Sequence, residues 1–182
     1  MKKTFSTLGF TIVELLIVIV VIGILAAISL VAYKGAQQKS QNTQTISAIT
    51  QWAKIIRMYE VEVGSMPTIA SCLGSNYTYG PTGTDVSGFQ CRQDIISSGI
   101  VIDPSFMTLM QKYSQSKPQP SVTTTGYVSD VNWYRGAYYY PTNPARIDYM
   151  LAGGGTPCPD IGGIKQVTRQ VFGDTTRCIT NF

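Results

Sequence analysis

The chain has 182 residues, 44% hydrophobic and only 13% charged, with a formal net charge of +4 and four cysteines; this is enough for one domain and an appendage. It contains no histidine, which removes the commonest general base and the commonest metal ligand. The net charge divides as +2 over Met1–Gly9, +1 over residues 10–63 and +1 over residues 64–182, so no bulk electrostatic case for a nucleic-acid or acidic partner follows.

The first element is FTIVELLIVIVVIGILAAISLVAY, Phe10 to Tyr33, a dense apolar run interrupted by one acid, Glu14. As a helix it covers roughly 36 Å, enough to cross a hydrocarbon core of about 30 Å with some tilt. Lys2 and Lys3 precede it, and the positive-inside rule puts the N-terminus in the cytoplasm and everything after Tyr33 outside. A cleaved secretory signal is the rival reading, with Ala26-Ala27 and Ala32 as small-residue positions, but the run is longer than a usual signal core. Charges inside membrane segments cost about 2.5–3.5 kcal/mol at mid-helix and mark function. Glu14 therefore either snorkels to the headgroups or meets a cation. A free amine created by cutting the chain just upstream would supply one.

The short Lys-containing leader, Gly9, Phe10, Thr11 and then Glu14 in an unbroken apolar helix (GFTIVELLIVIVVIG) resemble a type IV prepilin of the short-leader, type IVa-like class, within the wider pilin and pseudopilin family. The close match runs from Met1 to about Lys34. The resemblance implies that Met1–Gly9 is a leader, that a prepilin peptidase cuts between Gly9 and Phe10, and that Phe10 is then N-methylated. It implies that Glu14, with Thr11 beside it, pairs during assembly with the Phe10 amine of a neighbouring subunit, setting register in low-dielectric surroundings. It further implies a homopolymer of pilin subunits, handled by an assembly platform and motor ATPases. Such a chain is a single-pass cytoplasmic-membrane protein before assembly and a surface filament afterwards, serving adhesion, twitching-type motility or DNA uptake. A pseudopilin of a type II-like secretion system shares the leader and helix and is the alternative. A single-pass anchored binding protein is the alternative of another class. Many members carry a proline late in the apolar run, whereas this chain has Val31 in that neighbourhood and its first proline is Pro67.

Residues 34–66 read as an amphipathic continuation of the same helix. Lys34 to Thr45 is polar, after which Ile46, Ile49, Trp52/Ala53, Ile56, Tyr59 and Val63 recur at spacings of three and four. Gly64 and Pro67 end it. Read from Phe10 to Val63 the helix would be about 80 Å long.

Residues 67–182 form the expected head. Turn-rich sequence continues to about Gly99, and Asp103-Pro104 then caps a short helix with Phe106, Leu109, Met110 and Tyr113 on one face. KPQPSVTTT reads as a linker or exposed loop. Strands are expected at Asn132–Tyr140, Arg146–Ala152 and Ile164–Phe172, with Ile147, Tyr149 and Leu151 on one side. The fold class is thus α+β: a long N-terminal helix packed on a small antiparallel sheet, as in type IV pilins. Cys72, Cys91, Cys158 and Cys178 fall on the oxidising side. Their three possible pairings include a nearest-neighbour one closing two loops of about twenty residues, each contributing roughly 3 kcal/mol in the loop-entropy model; this pairing is favoured. The second loop resembles the disulfide-bounded C-terminal region that pilins display.

No P-loop, G-x-S-x-G, H-E-x-x-H or C-x-x-C occurs. No enzyme, cofactor or metal site is expected. The remaining constellation is Trp133, Tyr134, Arg135, Tyr138, Tyr139 and Tyr140. It reads either as a surface patch for stacking on sugars or bases or as cross-strand aromatic pairing.

Overall fold

The long helix is α1, Ile12–Val63. The computed structural model describes residues 11–77, 90–94, 97–122, 125–129 and 132–182; the leader Met1–Gly9, the Gly9–Phe10 junction and the methylation position Phe10 lie outside them. The chain divides into one unit ending at Gln37 and a second, Gln38–Phe182.

In the first unit the large apolar side chains from Ile12 to Leu30 are exposed around the helix. A helix that is apolar all round has no stable single-chain solution in water and needs lipid or other helices. Ser29 donates its hydroxyl to the Leu25 carbonyl at 2.7 Å, so this polar group is satisfied within the helix.

In the second unit the expected stripe lies on the buried face of α1: Ile49, Trp52, Ala53 and Ile56 are within the core together with Ala48 and Ile55, and Ile46 and Tyr59 pack against it partly buried. Val63, the last position of that stripe, is instead 50% exposed. The helix stops there because Gly64 adopts φ +79° and donates its N–H to the Glu60 carbonyl at 2.8 Å, a left-handed C-terminal residue. The polar tract before the stripe holds the sheet through hydrogen bonds rather than apolar contact. Asn42 donates Nδ2–H to the Ala152 carbonyl at 2.9 Å and accepts the Ala152 N–H on Oδ1 at 2.7 Å. Ser121 N–H donates to Thr45 Oγ1 at 3.1 Å, and Trp52 Nε1–H to the Pro118 carbonyl at 2.8 Å. These bonds satisfy backbone groups that have no ladder partner.

The strands are β1 Ser71–Cys72, β2 Gln90–Asp94, β3 Ser97–Val101, β4 Thr125–Ser129, β5 Asn132–Arg135, β6 Ala137–Tyr140, β7 Arg146–Ala152, β8 Lys165–Phe172 and β9 Thr175–Asn181. The helix α2, Pro104–Gln111, lies between β3 and β4. Its cap is as the sequence predicts: Asp103 Oδ1 accepts the N–H groups of Ser105 at 2.8 Å and Phe106 at 3.0 Å. Phe106 and Met110 are buried, but Leu109, placed on the same face by the sequence reading, is 40% exposed.

Among the described residues the strands form two antiparallel sheets, in orders β1-β6-β7-β9-β8 and β3-β2-β5-β4. The first sheet alternates cleanly. Tyr139, Ile147, Tyr149, Leu151 and Cys178 pack with Trp52, Ile56, Phe106 and Met110 on the helix side. Cys72, Tyr138 and Met150 point the other way and pack with Cys91, Ile100 and Tyr134 of the second sheet. The result is three layers: helices, sheet, sheet.

The sheet content exceeds the expectation. The turn-rich stretch after Pro67 contains β1, β2 and β3. The single strand expected over Asn132–Tyr140 is two strands in different sheets, broken at Gly136, which has φ +59°. A β-carbon there would stand 2.5 Å from the Tyr77 hydroxyl, so the chain crosses between layers at a position only glycine fits. β9, which no expectation included, lies between β7 and β8.

Candidate functional site: the head of the apolar helix and the arginine–tyrosine layer

The start of α1 carries a reciprocal cap. Thr11 N–H donates to Glu14 Oε2 at 2.8 Å, the Thr11 hydroxyl donates to the same oxygen at 2.7 Å, and Glu14 N–H donates to Thr11 Oγ1 at 3.2 Å. This is a capping box built from T-x-x-E, with the carboxylate also favourably placed at the positive end of the helix. The sequence reading paired Thr11 with Glu14 but missed this local role, although the spacing itself announces it. Glu14 is exposed, and its Oε1 takes part in none of these bonds. The arrangement can therefore order the first turn and still offer a carboxylate oxygen to an incoming cation.

The six-residue aromatic patch is not a surface. Trp133, Tyr134, Arg135, Tyr138 and Tyr139 are all buried, Tyr138 and Tyr139 completely; only Tyr140 is half-buried. The reason is the second sheet. Strand alternation sends Tyr139 toward the helices and Tyr138 outward, and the outward face is covered as well. Arg135 lies 5.1 Å over the Trp133 ring and donates Nε–H to the Gln90 carbonyl at 2.9 Å.

Between the sheets lies a polar cluster that sequence spacing did not reveal. Asp148 is fully buried. Its Oδ2 accepts Tyr138 O–H at 2.6 Å and Arg177 Nε–H at 3.2 Å, together with a further Arg177 Nη2 contact. Arg177 also donates to the Tyr138 hydroxyl at 2.8 Å and to Gln170 Oε1 at 2.9 Å, and its guanidinium sits 4.3 Å from the Tyr134 ring centroid. Arg146 approaches Asp148 Oδ1 at 3.3 Å. Burial, reinforced by the neighbouring Asp148 charge, pushes the Tyr138 phenol well above its usual range. The phenol is thus kept neutral and donating. This cluster joins the layers and has the composition of a structural network.

The cysteines are joined as Cys72–Cys91 and Cys158–Cys178, with Cα separations of 5.6 and 5.7 Å. The first bridges β1 of one sheet to β2 of the other. The second ties the segment after β7 to β9.

A helix whose first part is apolar on every side, joined in sequence to a layered antiparallel head, has the α+β architecture of the type IV pilins. In comparisons with known proteins, no family model and no solved structure matches the chain. Curated relatives do. Fimbrial protein Q of Moraxella bovis is 34% identical over 100 residues, covering 55% of this chain and 62% of that protein. The fimbrial proteins of Neisseria meningitidis serogroups B and A are 30% and 29% identical, each covering 51% of this chain and 52% of theirs. The chain thus spans little more than half the length of the curated relatives it matches. Over about half of its length the chain is thus similar to these fimbrial proteins, and its α+β fold is consistent with a type IV pilin.

Proposed function

We propose that this protein is the structural subunit of a surface filament, assembled through its apolar helix and anchored in the cytoplasmic membrane, N-terminus inside, before assembly. The observation that carries the reading is the capped Glu14 carboxylate at the start of a helix whose apolar side chains are exposed on all sides. Processing by a prepilin peptidase between Gly9 and Phe10, N-methylation at Phe10, and pairing of that amine with Glu14 of a neighbouring copy complete the proposal. The relatives' designation as fimbrial proteins supports it. An assembly platform and motor ATPases would extend the fibre.

Two variants separate cap from charge. Glu14→Gln keeps a capping-competent side chain but no charge, and Glu14→Ala removes both. Fibres counted by electron microscopy should disappear in both variants while membrane-bound protein persists. Fibres from Glu14→Gln at wild-type abundance would show that only the cap matters and would overturn the charge-pairing step. Mass spectrometry of sheared wild-type fibres should find a chain beginning with methylated Phe10. Fibres built of unprocessed Met1 chains would refute the processing step.

A further inference from the structure

Two exposed apolar features of the Gln38–Phe182 unit differ in shape. One is a groove of about 560 Å³ along the outer side of α1, lined by Ala53, Met58, Val61 and Tyr113. It continues past Val63 and Leu109 into a hollow of about 300 Å³ between α1 and α2. Met58 and Val61 are 50% and 86% exposed. The other is the edge strand β8, which pairs only with β9 and ends in the Gly173–Asp174 turn. Its Val167 and Val171 are 55% and 51% exposed.

A groove cannot be filled by a copy of itself, because two concavities face to face enclose a void. It requires a ridge, and β8 is one. The charges give the pairing a direction. Along α1 the groove is lined by Lys54 and Arg57 first, then by Glu62. Along β8 come Lys165 and Arg169 first, then Asp174. The span from Lys54 to Glu62 is about 12 Å, and that from Arg169 to Phe172, at the foot of the turn carrying Asp174, is on the order of 10 Å. Laid antiparallel, Asp174 meets Lys54 and Arg169 meets Glu62, whereas the parallel placement sets like charges together. Lys54 has no ion-pair partner among the described residues. Arg57–Glu60 and Glu62–Lys112 are exposed pairs, of a kind weak enough to exchange partners.

We propose that the α1–α2 groove of one copy receives β8 and the Gly173–Asp174 turn of a second copy, with Val171 against Met58 and Val61 and Asp174 beside Lys54. The two patches are different, so the contact is heterologous and, when its rotation does not close a ring, propagates without end. The inference rests on the filament reading above and names which surfaces of adjoining heads meet.

The test uses cells producing the full chain. Lys54→Glu and Asp174→Lys should each lower the yield of sheared filaments at least fivefold, and the double charge swap should restore it to within twofold of wild type. A double variant no better than the worse single one, or singles with normal yield, would overturn the proposal. Val61→Cys with Val171→Cys gives a second readout that needs no loss of assembly. A bismaleimide cross-linker applied to intact filaments should produce a ladder of covalent multimers that neither single cysteine gives. Normal filaments without that ladder would refute the docking while leaving the Glu14-dependent filament reading intact. Normal filaments from Glu14→Ala would refute the latter without bearing on the ladder.

Discussion

Replacing Asp148 by alanine should be among the most destabilising single changes in the head. The side chain is fully buried and accepts bonds from Tyr138 and Arg177, and only 8% of the Arg177 side chain is exposed. Removing one member of a buried ion pair leaves the other charge desolvated and unmatched, at about 3–5 kcal/mol. For a head of this size each kcal/mol moves the melting midpoint by roughly 3 °C, so a drop of about 10–15 °C is expected. The assay is thermal unfolding of the detergent-solubilised, oxidised full chain, followed by near-ultraviolet circular dichroism from the aromatic residues packed around the pair. Asp148→Leu combined with Arg177→Met removes both charges and should recover more than half of the loss. A cost below about 1 kcal/mol for Asp148→Ala, or a double variant as unstable as the sum of its parts, would show that the charges are not coupled as argued.

Gly136→Ala forces a positive φ on a residue with a side chain and drives its β-carbon into the Tyr77 hydroxyl. That hydroxyl is fixed by bonds to Leu73 and to both backbone groups of Ala137, so urea denaturation should show a loss of at least about 2 kcal/mol. Asn42→Ala strands the Ala152 N–H at the end of β7, while the carbonyl keeps the Thr156 hydroxyl; about 1–3 kcal/mol should be lost, with faster hydrogen exchange at the Ala152 amide. Alkaline pH supplies a further test. Burial raises the phenols of Tyr77, Tyr138, Tyr139 and Tyr149 above their ordinary value of 10.0. A folded-state pKa raised above the unfolded one contributes stability that is complete below the unfolded value and is lost as pH rises through the folded one. The urea midpoint should fall progressively above about pH 10, with phenolate absorbance from these residues appearing only as the head unfolds; an unchanged midpoint up to about pH 11 would contradict this.

What the sequence disclosed follows physical rules that act locally. The apolar run, the three-and-four stripe and Gly64 define α1 because each depends on residues close in the chain. Asp103-Pro104 announces α2 for the same reason. β7 was legible from alternation of Ile147, Tyr149 and Leu151, whereas β6 was legible only as the end of a longer strand starting at Asn132. The strands that escaped notice lack an apolar pattern. β2 begins Gln-Cys-Arg-Gln, and β9 reads Thr-Thr-Arg-Cys-Ile-Thr-Asn, its burial carried by threonines and a cystine that composition alone assigns to a loop. The β-branched Thr175, Thr176, Ile179 and Thr180 were the signal available there. The aromatic patch was misplaced for a different reason. Alternation shows that neighbours face opposite ways, but not that a second sheet covers both faces. At the apolar helix, Glu14 stood out by charge, whereas its bond to Thr11 was visible only as spacing.

The position of β9 has a consequence for how each copy is made. The ribosome delivers this strand after β7 and β8, yet it lies between them and carries Cys178 into the helix-facing core. Until it emerges, its two neighbours have no shared edge to close, so the layered head forms only when the reading frame has been followed past Thr175. A prematurely terminated product is therefore recognisable by its open sheet and unpaired Cys158, which makes completeness of synthesis a condition for a closed, oxidised head.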